Sequence, residues 1–204
     1  MTLRIARGVS RRNFAAAMNS SAPTSAPSVL FRKAGLREAT ILLALAWVLP
    51  FAIHLVPWTG DRPLGAYLLP GFWTALVAVY FYGAWMGLAV GLFAPVLNLA
   101  ITGQPESVYF WKTAAELILF ALVAAGAVRR LPRLAIMAPL AYIVAKTAAA
   151  GLLTPEMLNG RAGTPGGFLA HLFEGSLPGL VVLAALNAAL VWSYPKTKTG
   201  GGEA

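Results

Sequence analysis

Residues Val108–Val128 read VYFWKTAAELILFALVAAGAV and run directly into Arg129-Arg130-Leu131-Pro132-Arg133. An apolar run of this length covers about 30 Å as a helix, the thickness of a bilayer's hydrocarbon core. Its two charges, Lys112 and Glu116, both fall in the first half, and the second half is wholly apolar. The three cations in five residues that follow mark the cytoplasmic end, because short loops rich in Lys and Arg stay inside.

Five more runs flank this one: Ala39–Pro57, Leu64–Tyr82 and Ala84–Ile101 before it, Leu134–Leu153 and Phe168–Trp192 after it. Each has about 18–25 residues, enough to span as a helix. Backbone in lipid must satisfy its own hydrogen bonds, so helices are the physical reading of such runs. The breaks carry turn residues: Thr59-Gly60-Asp61-Arg62-Pro63, Thr102-Gly103-Gln104-Pro105 and the Gly/Pro-rich stretch 159–167. The expected fold is an all-α integral membrane protein of six transmembrane helices over residues 38–196. A basic arm (1–37) precedes them and a flexible tail (197–204) follows.

Composition agrees. Of 204 residues, 58% are hydrophobic and 11% charged, with a mean hydropathy of +0.70. A water-soluble domain carries about 25% charged residues, so an ordinary soluble globule is excluded. The net charge of +9 would by itself suggest nucleic acid or an anionic surface. Its distribution says otherwise: residues 1–37 hold Arg4, Arg7, Arg11, Arg12, Arg32, Lys33 and Arg37 and no acid. The arm, the Arg129–Arg133 loop and the tail (Lys196, Lys198) hold twelve of the sixteen cations, against Arg62 and Arg161 on the other side. Both termini are therefore expected in the cytoplasm, with the body in a plasma or inner membrane and no nucleic-acid partner. The arm, Ala/Ser/Arg-rich with Pro23 and Pro27, reads as disordered. An over-long start with translation from Met18, or an organelle transit peptide, are the other readings. There is no cysteine, which removes disulfides and thiolate chemistry.

Gly83, Gly87 and Gly91 recur every fourth residue. That places them on one helical face, suited to close helix packing or to a docking surface.

Ionisable residues inside a membrane are functional candidates by default. At about 1.5 Å per residue, His54, Asn98 and His171 lie shallow, Lys112 about one turn deep, and Glu116, Lys146 and Glu174 about two. All fall in the outer half, and the inner half is almost wholly Ala, Leu, Val and Ile. This asymmetry suggests an outward-opening polar cavity. Lys112 and Glu116, one turn apart, could pair, as could Lys146 and Glu174 across the last two helices. Structural ion pairing and snorkelling to the interface are the plainer readings, and shallow histidines also face headgroups. Trp58 and Trp111, beside the outer loops, are candidates for stacking on a flat ligand or members of the interfacial belt.

The stretch Leu68-Leu69-Pro70-Gly71…Tyr82-Gly83-Ala84-Trp85-Met86-Gly87…Gly91, with Gly103 beyond it, and Ser176-Leu177-Pro178-Gly179 in the last run resemble glycine-based segments of a known family. With six helices in about 170 residues and both termini inside, the chain resembles the substrate-binding S components of energy-coupling factor (ECF) vitamin transporters. Thr40-x-x-x-Ala44, with Ala46 displaced, stands where that family's first helix often has an Ala-x-x-x-Ala face. The resemblance implies a binding subunit for a small vitamin or precursor, with its pocket in the outer halves of helices four to six. It also implies an energy-coupling transmembrane subunit and two ABC-type ATPases as partners. No P-loop is present, so on this reading the chain does no chemistry and needs no cofactor or metal. The candidate ligand-binding residues are His54, Trp58, Asn98, Trp111, Lys112, Glu116, Lys146, His171 and Glu174. Two alternatives stay open. One is an intramembrane enzyme or metal site built on His54, Glu116 and His171-x-x-Glu174. The other is a stand-alone carrier, channel or assembly factor.

Overall fold

The computed structural model describes residues 31–60, 64–102, 107–153 and 165–195. The expectations for the arm before residue 31, for Arg62, Arg161 and their neighbouring acids, and for the tail lie outside these residues. The described residues are helical, with no strand among them. The helices are α1 (Leu36–His54), α2 (Leu64–Leu68), α3 (Pro70–Tyr82), α4 (Ala84–Thr102), α5 (Ser107–Arg130), α6 (Met137–Leu153) and α7 (Pro165–Ser193). Four stretches are long and apolar enough to cross a membrane: Leu36–His54, Leu64–Tyr82, Phe110–Arg130 and Gly166–Ser193. Ala84–Ala100 and Met137–Leu153 are shorter apolar helices.

The second apolar run is not one helix. A residue before proline is pushed out of the right-handed helical region, and Leu69, preceding Pro70, adopts φ 58° and ψ 43°. Pro70 then starts α3, a position where its missing N–H costs nothing. The break separates α2, which packs between α1 and α7, from α3, which is surrounded by α1, α4, α5 and α7. α3 is the axis of the bundle, and Phe72, Ala75, Leu76, Ala78, Val79 and Tyr80 along it are all buried. Around it, α4 packs on α5, α5 on α6, and α6 on α7.

The glycine face is a packing face. A Cβ on Gly91 would lie 3.1 Å from the carbonyl carbon of Leu117 and 3.2 Å from the amide nitrogen of Ile118. The backbones of α4 and α5 meet there, as close small-residue crossings allow. Gly83, at φ 85°, makes the turn between α3 and α4.

The described residues just ahead of α1 pack against the helix bundle. The Arg32 N–H donates to the Phe81 carbonyl (2.7 Å) and its guanidinium lies 5.5 Å from the Phe81 ring centroid. The Arg129 guanidinium lies 5.4 Å from the Phe31 ring centroid. Cations over aromatic faces thus hold the chain ahead of α1 against the end of α3 and the end of α5. The first turn of α1 is closed by Glu38, whose Oε2 accepts the Gly35 N–H at 2.9 Å.

One polar side chain, Asn187, is wholly buried in the second half of α7. It donates from Nδ2 to the Leu134 carbonyl (2.9 Å) in the turn before α6. That carbonyl also accepts the Met137 N–H at 3.2 Å, so Asn187 ties α7 to the turn with a second hydrogen bond.

Candidate functional site

Two of the buried polar residues, Glu116 and Ser176, lie where α5, α6 and α7 meet. Glu116 projects from α5 and Lys146 from α6, and Lys146 Nζ donates to Glu116 Oε2 at 2.6 Å. One turn before Lys146, on the same face, the Tyr142 hydroxyl bonds the Ser176 hydroxyl of α7 at 2.8 Å. The Lys146 ammonium also lies 5.9 Å from the Tyr142 ring centroid. Tyr142 packs edge-on to Phe72 of α3, centroids 4.9 Å apart, and Phe72 in turn to Phe120 of α5 at 5.2 Å. These aromatics form the floor of the polar group. By helical rise, Glu116, Lys146, Tyr142 and Ser176 lie about 10–17 Å from the residue 107, 153 and 165 ends of their helices.

Glu116 is 4% exposed, and the Lys146 side chain 29%. The carboxylate is therefore the more buried partner of the pair. A charge-assisted hydrogen bond of this length offsets part of the cost of removing both ions from water. It does not satisfy the carboxylate: Glu116 Oε1 is buried with no hydrogen-bond partner. A buried unpartnered acceptor costs about 1–3 kcal/mol and is uncommon enough to call for a cause.

Lys146 thus pairs with Glu116 and not with Glu174, the partner expected across the last two helices. The reason is azimuth. The buried side of α7 runs through Leu172, Ser176, Leu180, Leu183, Asn187 and Leu190, a spacing of three and four. Glu174 lies about 160° from Ser176 around the helix, and it is exposed. His171 is exposed as well. Lys112 is half-buried one turn before Glu116, and Asn98 on α4 is half-buried.

The other candidates stand near the end of α1 and the start of α5. His54 is exposed at the end of α1 and donates Nδ1–H to the Pro50 carbonyl at 2.7 Å, a carbonyl of the last turn that a side-chain donor can satisfy. Trp58, half of its surface exposed, meets Tyr67 edge-on with centroids 5.9 Å apart. Trp111 is 68% exposed and packs edge-on to Phe110 at 4.9 Å. Among the described residues no three His, Asp or Glu side chains gather within reach of one metal ion. His54, Glu116, His171 and Glu174 therefore do not form a common metal site.

Two members of the buried group, Tyr142 and Ser176, are not singled out by a search for charge. Tyr142 could have been found from its spacing of four from Lys146. Ser176 carries no comparable signal beyond opening the Ser176-Leu177-Pro178-Gly179 segment.

Comparison with protein-family models, with characterised proteins and with solved structures finds no match to this chain.

Proposed function

We propose that the chain is a six-span protein of the plasma or inner membrane with both termini cytoplasmic, and that it binds a small polar solute from outside. On this reading α4 and α6 join the four longer apolar stretches as membrane spans. The observation that carries the solute site is the buried Glu116 carboxylate, held by Lys146 on one oxygen and open on the other. A preorganised polar group among apolar helices, with an acceptor to spare, is what a ligand's donor would complete. The S-component resemblance extends the proposal to a vitamin or vitamin precursor as solute. It adds a separate coupling subunit and two ATPases as the source of energy.

Topology and binding are tested separately. The absence of native cysteine makes single-cysteine mapping direct. In intact cells a membrane-impermeant maleimide should label Thr59→Cys, and should label Leu131→Cys only after permeabilisation. The opposite pattern would overturn the orientation. For binding, wild-type protein purified in mild detergent should release a small polar compound on denaturation, detectable by mass spectrometry. Glu116→Gln, which keeps shape and removes the charge, should release at least about tenfold less, a loss of about 1.4 kcal/mol. Equal recovery from both would remove Glu116 from the site.

A further inference from the structure

At the end of the bundle away from the buried ion pair, the structure gathers positive charge. The segment ahead of α1 and the ends of α3, α5 and α7 meet there. Six cations lie at this end, Arg32, Lys33, Arg37, Arg129, Arg130 and Arg133, and all are exposed. The one acid there among the described residues, Glu38, already accepts the Gly35 N–H. Two of the six cations are held in place. Arg129 lies over the Phe31 ring and Arg32 over the Phe81 ring. Phe81 packs edge-on to Tyr194 with centroids 5.1 Å apart, and Phe31 rests against the turn at Gly83. A guanidinium stacked on a ring keeps its N–H edges open, and its planar fork matches two oxygens of a phosphate. Holding that fork before the ligand arrives lowers the ordering cost of binding.

Large apolar side chains share this end. Trp85 and Trp192 are 83% and 77% exposed, and Leu36, Leu131 and Tyr194 are exposed as well. Tryptophan and tyrosine at the ends of membrane helices sit at headgroup level, which sets the cations at the depth of the lipid phosphates. Nucleic acid, the other polyanion a basic surface suits, has no acyl chains to cover these side chains. Six cations against one committed acid select a headgroup of net negative charge over a zwitterionic one.

We propose that Arg32 and Arg129 clamp the phosphodiester of an anionic phospholipid at this end of the bundle. Arg130 and Arg133 add to the local potential, and Trp85 and Trp192 meet the acyl chains of the same leaflet. The inference rests on the membrane-spanning part of the proposed function and not on solute binding.

The test uses the full-length protein reconstituted in nanodiscs of equal phosphatidylglycerol and phosphatidylcholine with matched acyl chains. Lipids retained after extraction into detergent are counted by native mass spectrometry. Wild type should retain the anionic lipid at least about tenfold over the zwitterionic one. Arg32→Gln/Arg129→Gln should lose most of that preference, although the cations of residues 1–30 and of the tail are unchanged. Arg32→Lys/Arg129→Lys keeps both charges beside the rings and carries the test if the glutamine variant does not fold. It should lose about threefold, because the bidentate fork is gone. Equal retention of the two lipids by wild type, or a preference undiminished in whichever variant folds, would overturn the site and leave the membrane reading intact. A chain that stays dispersed and lipid-free without detergent would remove the membrane reading, and the inference with it.

Discussion

Lys146→Ala should destabilise the protein by about 3–5 kcal/mol, the range for removing one partner of a buried ion pair. The loss arises because Glu116 is 4% exposed and would be left with neither oxygen bonded among apolar helices. Glu116→Ala should cost less, because the Lys146 side chain is 29% exposed and its ammonium can extend toward the surface. The double variant Glu116→Leu/Lys146→Met should return to within about 1–2 kcal/mol of wild type, since the desolvation cost of both ions disappears with them. Reversible unfolding in mixed micelles would measure all three, and the double-mutant cycle isolates the coupling. Additive single losses would mean that the pair contributes no mutual stabilisation. A stable double variant that binds no solute would show that the charges serve the site and not the fold.

The partner of Lys146 was not legible in the sequence, and the cause is specific. Helical rise fixes depth, and by depth Glu116 and Glu174 are equivalent, each about two turns from the outer end. The choice between them is rotational. In a soluble helix the polar face would reveal the rotation, but these helices are apolar all round and the usual signal is gone. Small residues carry what remains of it. Ala138, Ala141, Ala145 and Ala149 of α6 are buried, as are Ala114, Ala121, Ala124 and Ala125 of α5. Tyr142 and Lys146 flank the first stripe, whereas Glu116 lies about 160° from Ala114 around α5, away from the second. Alanine spacing therefore places Lys146 beside the packed side of α6, but it does not turn Glu116 toward it. The break at Leu69 has a different origin. Pro70 announces a discontinuity, but whether it kinks a helix or starts a new one depends on what occupies the space beside it. Here that space is set by α7.

Gly179 supplies that space, and its substitution should have the second large effect. A Cβ on Gly179 would fall on the Tyr67 carbonyl oxygen and lie 2.6 Å from Leu69 Cγ and 2.8 Å from Leu69 Cδ1. The first obstacle is backbone that cannot rotate away. The second is the side chain of a residue already held at φ 58°, a conformation that costs a non-glycine residue about 1–2 kcal/mol. Gly179→Ala should therefore destabilise by about 3 kcal/mol, the upper part of the range for overpacking. The effect should exceed that of Gly91→Ala, whose Cβ would meet its nearest atom at 3.1 Å. Gly126 is the internal control, because a Cβ there meets nothing within 4 Å. Gly126→Ala should be neutral or stabilising by up to about 1 kcal/mol through helix propensity. Adding Leu69→Ala to Gly179→Ala separates the two obstacles. If the Tyr67 carbonyl dominates, the double variant stays close to the Gly179→Ala value. If Leu69 dominates, most of the loss returns, less the cost of truncating a buried leucine. The first outcome is expected, because a leucine side chain has other rotamers and a carbonyl fixed between α2 and α7 does not.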